Sequence, residues 1–135
     1  MNREEIKNIL PHRDDMLLLD ELRIEEDIAV GSYTIKGDEF FLRGHFPGNP
    51  VVPGVILCEM MGQSSAILLE KSSGYTPYFT SMNNVKFKRK VLPGDTVVLK
   101  RRVEKGRGNF YFVKCEGCVE DKLCVRAELS FALMG

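Results

Sequence analysis

The sequence predicts an α+β domain in which an antiparallel sheet curls around one long apolar helix, and three observations carry that expectation. Residues 54–69 contain no proline, and Val55, Ile56, Leu57, Met60, Met61, Ala66, Ile67, Leu68 and Leu69 surround the helical cylinder. A helix apolar on nearly every side has to be enclosed by other elements. Segments with strand-like patterns lie on both sides of it, separated by turn residues. Finally, 135 residues with 44% hydrophobic content supply one real core, so residues 1–135 are read as a single domain.

Each element has its own justification. Asn2 followed by Glu5 fits an N-cap and capping box, and Ile6, Ile9 and Leu10 form an apolar stripe, so a short helix is expected to run to Leu10, where Pro11 ends it. His12 and Arg13 follow in a loop as packing or interface residues, with ligand contact a second role open to His12. Residues 16–24 and 28–36 read as two strands, the second alternating, around the acidic turn Glu25-Glu26-Asp27. Residues 38–43 form an irregular entry to the next loop, where Phe40, Phe41 and Phe46 offer large apolar surfaces. The central helix spans roughly 24 Å by its rise per residue, too short and too polar at its centre for a membrane span. After a loop at 72–76, residues 78–91 read as one or two extended segments around Asn83-Asn84. Pro93-Gly94-Asp95 makes a turn, and residues 96–103, 110–119 and 122–133 give three further strands.

Composition excludes some functions. A formal net charge of zero argues against nonspecific nucleic-acid binding. The charges are nonetheless uneven: Lys86, Lys88, Arg89, Lys90, Lys100, Arg101, Arg102, Lys105 and Arg107 are opposed in their region only by Asp95 and Glu104. Alternation puts Lys86, Lys88 and Lys90 on one strand face and Phe87 and Arg89 on the other. That face is either a solvated edge or a patch that steers an acidic partner. No signal peptide or membrane insertion is expected, so the protein is placed in the cytoplasm with reduced thiols. Cys115 and Cys118 are separated by about 10 Å of strand and point to opposite faces, which suits neither a disulfide nor chelation.

The chemistry concentrates in residues 44–63. A Gly/Pro-rich loop carrying His45 runs into the central helix. Pro53 suits the first turn and Gly54 allows close approach to the backbone, so the free N–H groups and the positive dipole end could receive a developing oxyanion. The alternative is that proline and glycine simply punctuate a loop. Glu59 sits among Cys58, Met60 and Met61 with no basic residue in its helix before Lys71. Desolvation there would favour the protonated acid, and Gln63, one turn on, could orient it. A base candidate and an acid candidate 14 positions apart thus flank one helix N-terminus.

The stretch GHFPGNPVVPGVILCEMMGQ, with LPHR at 10–13, VKFKRKVLPGD at 85–95 and the closing VRAELSFAL, resembles bacterial 3-hydroxyacyl-acyl-carrier-protein dehydratases of the FabZ type over nearly the whole chain. The resemblance implies a hot-dog fold and reversible loss of water from a (3R)-hydroxyacyl thioester in type II fatty acid biosynthesis. His45 would remove the C2 proton, Glu59 would protonate the leaving hydroxyl, and the Gly54 N–H would polarise the carbonyl, with Gln63 behind the acid and no metal or organic cofactor. Phe46, Val55 and Phe87 would line the acyl tunnel, with Tyr75, Tyr78 and Phe79 as candidates for its mouth.

The implied partner is acyl carrier protein, docking at Lys86, Lys88, Arg89 and Lys90. A homodimer whose sites take histidine and acid from different subunits is implied as well, associating further as a trimer of dimers. Asp14 and Asp15 depart from the aromatic and proline residues expected after LPHR. Two alternatives stand: an acyl thioesterase on the same fold, or a noncatalytic acyl-binding regulator, which would need a DNA-binding segment for which 135 residues leave no room. Glutamate rather than aspartate at position 59 favours simple dehydration over isomerisation.

Overall fold

A computed structural model describes residues 1–26, 28–65, 76–107 and 110–134, including the side chains of all of these except 76, 77, 102–107 and 134. At its start, the Asn2 side chain accepts from the Glu5 N–H at 2.9 Å, while the Asn2 N–H donates to the Glu5 carboxylate at 3.1 Å. This capping box opens α1 (Arg3–Ile6). The helix is shorter than its apolar stripe predicts. Asn8 and Ile9 donate to carbonyls three residues back rather than four, which tightens the chain into turns ahead of Pro11.

The described residues form six strands: β1 (Glu21–Glu25), β2 (Ile28–Thr34), β3 (Thr76–Phe87), β4 (Thr96–Arg107), β5 (Phe110–Val119) and β6 (Lys122–Met134). They form one sheet in the order β1-β2-β4-β5-β6-β3, antiparallel at every step. The strand expected from residue 16 starts only at Glu21. Asp14–Met16 is a 3-10 turn, and Leu17, Leu18 and Leu19 are buried in succession, which a half-buried strand cannot achieve. The second strand stops at Thr34, where Ile35 leaves the ladder to bond Asp95 and Gly94.

Asn83-Asn84 does not divide β3. The register against β6 shifts between Asn83 and Lys86, and Asn84 takes φ +51°, so the extra residue is absorbed as a bulge. β3 ends at Phe87 because Lys88 and Arg89 both donate to the Cys124 carbonyl, at 2.7 and 3.3 Å. The alternation expected through Lys90 therefore breaks, and residues 86–90 are all exposed.

The helix α2 (Gly54–Ser64) packs on the sheet chiefly against β4, and also against β2, β5 and β6. Leu57, Cys58, Met60 and Met61 share one core with Leu22, Val97, Leu99, Val113 and Leu129. Each such side chain contributes roughly 1.5–3 kcal/mol when fully buried. The approach is close because β2 carries Gly31, where an added Cβ would lie 2.8 Å from the Ser64 Cβ. The predicted extension of the helix over 66–69 and residues 72–75 of the loop after it, Tyr75 among them, lie outside the described residues, whereas Thr76, expected to close that loop, already opens β3.

Arg101 corrects the surface-charge map. It is 1% exposed, and its two terminal nitrogens donate to the Ala29 carbonyl at 3.2 and 3.3 Å. Burial pulls its pKa down to about 10. It belongs to the core and not to the basic patch. All four cysteines are free thiols; burial pushes Cys58 up, and Cys115 up to about 12. No helix among the described residues is long and apolar enough to cross a membrane.

Candidate active site

The loop before α2 is held by its own backbone. Phe46 and Asn49 exchange N–H···O bonds at 3.1 and 2.8 Å, Val51 N–H donates to the His45 carbonyl at 2.8 Å, and Val52 N–H ties the loop to Val91 at 2.9 Å. Gly48, at φ +73°, makes the reversal that brings Val51 back beside His45. There His45 Nδ1 lies 2.9 Å from the Val51 carbonyl oxygen. A carbonyl can only accept, so in the neutral ring the hydrogen is on Nδ1 and the lone pair is on Nε2. Phe46 stacks on this ring, with centroids 4.1 Å apart and planes at 25°.

Pro53 caps α2 with φ −58° and ψ 140° and makes no side-chain cap bond. The first bonds back to the Pro53 carbonyl come from Ile56 and Leu57, at 3.0 and 3.3 Å. The Gly54 and Val55 N–H groups therefore precede the helical ladder and sit at its positive end. The Phe87 ring lies directly on Gly54, where a Cβ would come within 2.7 Å of two ring carbons. His45, Val51, Val52, Gly54, Leu57 and Phe87 line a cavity of about 410 Å³, completed by residues 88–91.

Of the side chains expected in the tunnel, Phe87 lines this cavity and Phe46 meets it only through His45. Val55 is 69% exposed and not in its lining. Lys88, Arg89 and Lys90 do line it, which strand alternation could not reveal; Lys86 does not. Arg89 and Lys90 also border a neighbouring hollow of about 360 Å³ with Lys122, Asp95 and Glu120.

Glu59, one turn further along α2, does not line the His45 cavity of its own chain. It is also less isolated than the sequence suggests. Its side chain is 24% exposed, Gln63 Nε2 donates to Oε2 at 2.9 Å, and His12 Nε2 lies 3.3 Å from the same oxygen. Gln63 is fixed in turn, accepting from the Leu18 N–H at 2.8 Å and donating to the Met16 carbonyl at 2.7 Å. The His12 contact spans 47 residues of sequence, so a search for partners within the helix misses it. Arg13 fastens the loop that carries His12, donating to the carbonyls of Lys7, Leu10 and His12. Among the described residues no cluster of three or more histidine, cysteine or acidic side chains is placed to hold a metal ion.

A family model described as ApeI-like, ApeI dehydratase, matches residues 21–126. The 3-hydroxyacyl-[acyl-carrier-protein] dehydratase FabZ of Clostridium perfringens is 42% identical over 137 residues, covering 98% of this chain and 99% of that protein. The chain belongs to the FabZ family of dehydratases. A FabZ from Lactobacillus helveticus is 41% identical, covering 97% of this chain and 92% of its own. Among solved structures, the dehydratase heterocomplex ApeI:P from Xenorhabdus doucetiae matches with a TM-score of 0.81 at 17% identity, over 96% of this chain and 91% of that one. This likeness shows the fold, and the antiparallel sheet around one main helix is a hot-dog. As a FabZ-family member the chain is a hydro-lyase of fatty acid biosynthesis.

Proposed function

We propose that this FabZ-family enzyme reversibly removes water from (3R)-3-hydroxyacyl chains on acyl carrier protein, giving the trans-2-enoyl thioester, with His45 as base and Glu59 as acid. The observation that carries this assignment is the His45 cavity, in which an imidazole whose Nε2 lone pair is uncommitted among the described residues shares one hollow with Gly54 at the start of α2. The thioester oxygen accepts from the Gly54 N–H, a kind of donor that contributes roughly 3–4 kcal/mol as negative charge develops. The C2 proton, acidified by that polarisation, passes to His45 Nε2. As the C2–C3 double bond forms, the C3 hydroxyl leaves as water with a proton from Glu59. Hydration runs through the same groups in reverse, and no cofactor is required.

Glu59 lies outside its own chain's His45 cavity, which supports a homodimer in which one subunit supplies the base and the other the acid, assembled further as a trimer of dimers. Lys88, Arg89 and Lys90 at the cavity, with Lys86 beside them, suit an acidic carrier protein. Free thiols at all four cysteines accord with a cytoplasmic setting.

The test follows the ultraviolet signal of the 2-enoyl thioester, with a thiol reagent present, for wild type, His45→Ala and Glu59→Gln. Conversion lost in either variant without thiol release supports the assignment. Thiol release identifies a thioesterase, and carrier-protein binding with neither signal identifies a noncatalytic acyl-binding protein. Heterodimers of the two variants should regain part of the activity, and no recovery rules out the shared site.

A further inference from the structure

The acid of the proposed mechanism has two chemically distinct oxygens in this structure. Both nitrogen neighbours, Gln63 Nε2 at 2.9 Å and His12 Nε2 at 3.3 Å, lie on Glu59 Oε2. The Gln63 amide cannot turn over, because its oxygen already accepts from Leu18 and its nitrogen donates to Met16. On the far side of the His12 ring, Nδ1 is buried and has no hydrogen-bond partner among the described residues. A proton on Nδ1 would leave a buried N–H without an acceptor, a state that costs about 1–3 kcal/mol. A proton on Nε2 lies instead on the edge of the ring that comes within ion-pair distance of the Glu59 carboxylate, and leaves only a lone pair in the buried position.

We propose that His12 is a positioning residue for Glu59: its Nε2–H and the Gln63 amide converge on Oε2, hold the carboxyl group in one orientation, and leave Oε1 as the oxygen that carries the transferable proton. The proposal rests on Glu59 being the acid. Arg13 serves it indirectly by tying the His12 loop to the carbonyls of Lys7 and Leu10.

The test combines kinetics with a spectroscopic reading on the full chain. His12→Leu should lower kcat roughly 10- to 100-fold, the scale of one hydrogen bond to a charged group, with little change in KM. His12→Gln, which restores an N–H of similar reach, should recover most of that loss, and in a Glu59→Gln background the leucine substitution should cost nothing further. Long-range nitrogen–proton correlation spectra of wild type should show the Nε2–H form of His12, a readout that holds even if the leucine variant does not fold. An Nδ1–H ring, an unchanged kcat in His12→Leu, or the same loss with and without Glu59 each overturns the proposal. Full activity in Glu59→Gln alone removes the acid assignment itself, and His12's role with it.

Discussion

His45 Nδ1 lies 2.9 Å from the carbonyl oxygen of Val51, a backbone atom that two further hydrogen bonds around the loop keep in place. The pairing decides which ring nitrogen is left for chemistry. Replacement of His45 by alanine should lower kcat by about 10²–10⁴, the usual contribution of a general base. The fold loses one side-chain hydrogen bond, about 1 kcal/mol, and the stacking contact with the half-exposed Phe46 ring, so the thermal midpoint should move little compared with the loss of activity. Activity and melting measured on the same preparation check both halves of the expectation.

Gly54 and Phe87 form the second relationship open to test. A Cβ at position 54 meets the ring at 2.7 Å, and since Phe87 is 55% exposed the ring can yield. Gly54→Ala should therefore cost activity more than stability: a shift of about 1 Å in a substrate-positioning surface can lower the rate 10²-fold. Phe87→Leu, added to Gly54→Ala, should return part of the lost kcat/KM. A double variant no better than the single one would mean that the alanine acts on the Gly54 N–H itself.

The fold was legible where local chemistry decides it. The Asn2 and Glu5 capping box, the bounds of β5 and the apolar helix starting at Gly54 all follow from residues near one another in sequence. What escaped depends on contacts between distant segments. Arg101 reads as one more surface base until the pairing of β2 with β4 sets Ala29 opposite it and buries its guanidinium. Likewise the break after Phe87 is imposed by the Cys124 carbonyl on β6, and no pattern within 86–90 contains it. At the site, sequence spacing singled out His45, Gly54, Glu59 and Gln63. It could not show that Glu59 meets His12 across 47 residues, nor that the lysines after Phe87 line the His45 cavity.

Charge reversal at Lys86 together with Lys90 should raise KM for a carrier-bound substrate about tenfold while changing kcat little, because rim charges act mainly on encounter. The same change should flatten the dependence of KM on salt. A short thioester without carrier protein is the control. Equal loss on both substrates would assign these lysines to the acyl site and not to docking.

Gly31→Ala examines the helix–sheet contact. The new methyl would lie 2.8 Å from the Ser64 Cβ and 3.1 Å from a Leu19 methyl carbon, and both neighbours are buried. Overpacking of this kind costs about 1–3 kcal/mol, so the denaturant midpoint should fall with little change in m.

The acid limb of stability should carry the signature of Glu39. Partial burial raises its pKa, but N–H bonds from Lys36 and Gly37 at 2.9 and 2.8 Å and the Tyr33 hydroxyl at 2.8 Å outweigh it, holding the carboxyl below its usual range. Burial first, then Glu39 itself, pushes the Tyr33 phenol up, so this donor stays protonated through neutral pH. A carboxyl whose folded pKa is depressed stabilises the protein above its unfolded pKa, about 4.3, and loses that stabilisation as pH falls through the folded value. Glu39→Gln should therefore melt below wild type at pH 7, and the gap should close as both proteins are taken through the acid range. Melting curves for the pair at matched ionic strength make the comparison, since the other carboxylates titrate alike in both. A gap that stays constant with pH would mean that Glu39 acts through packing alone.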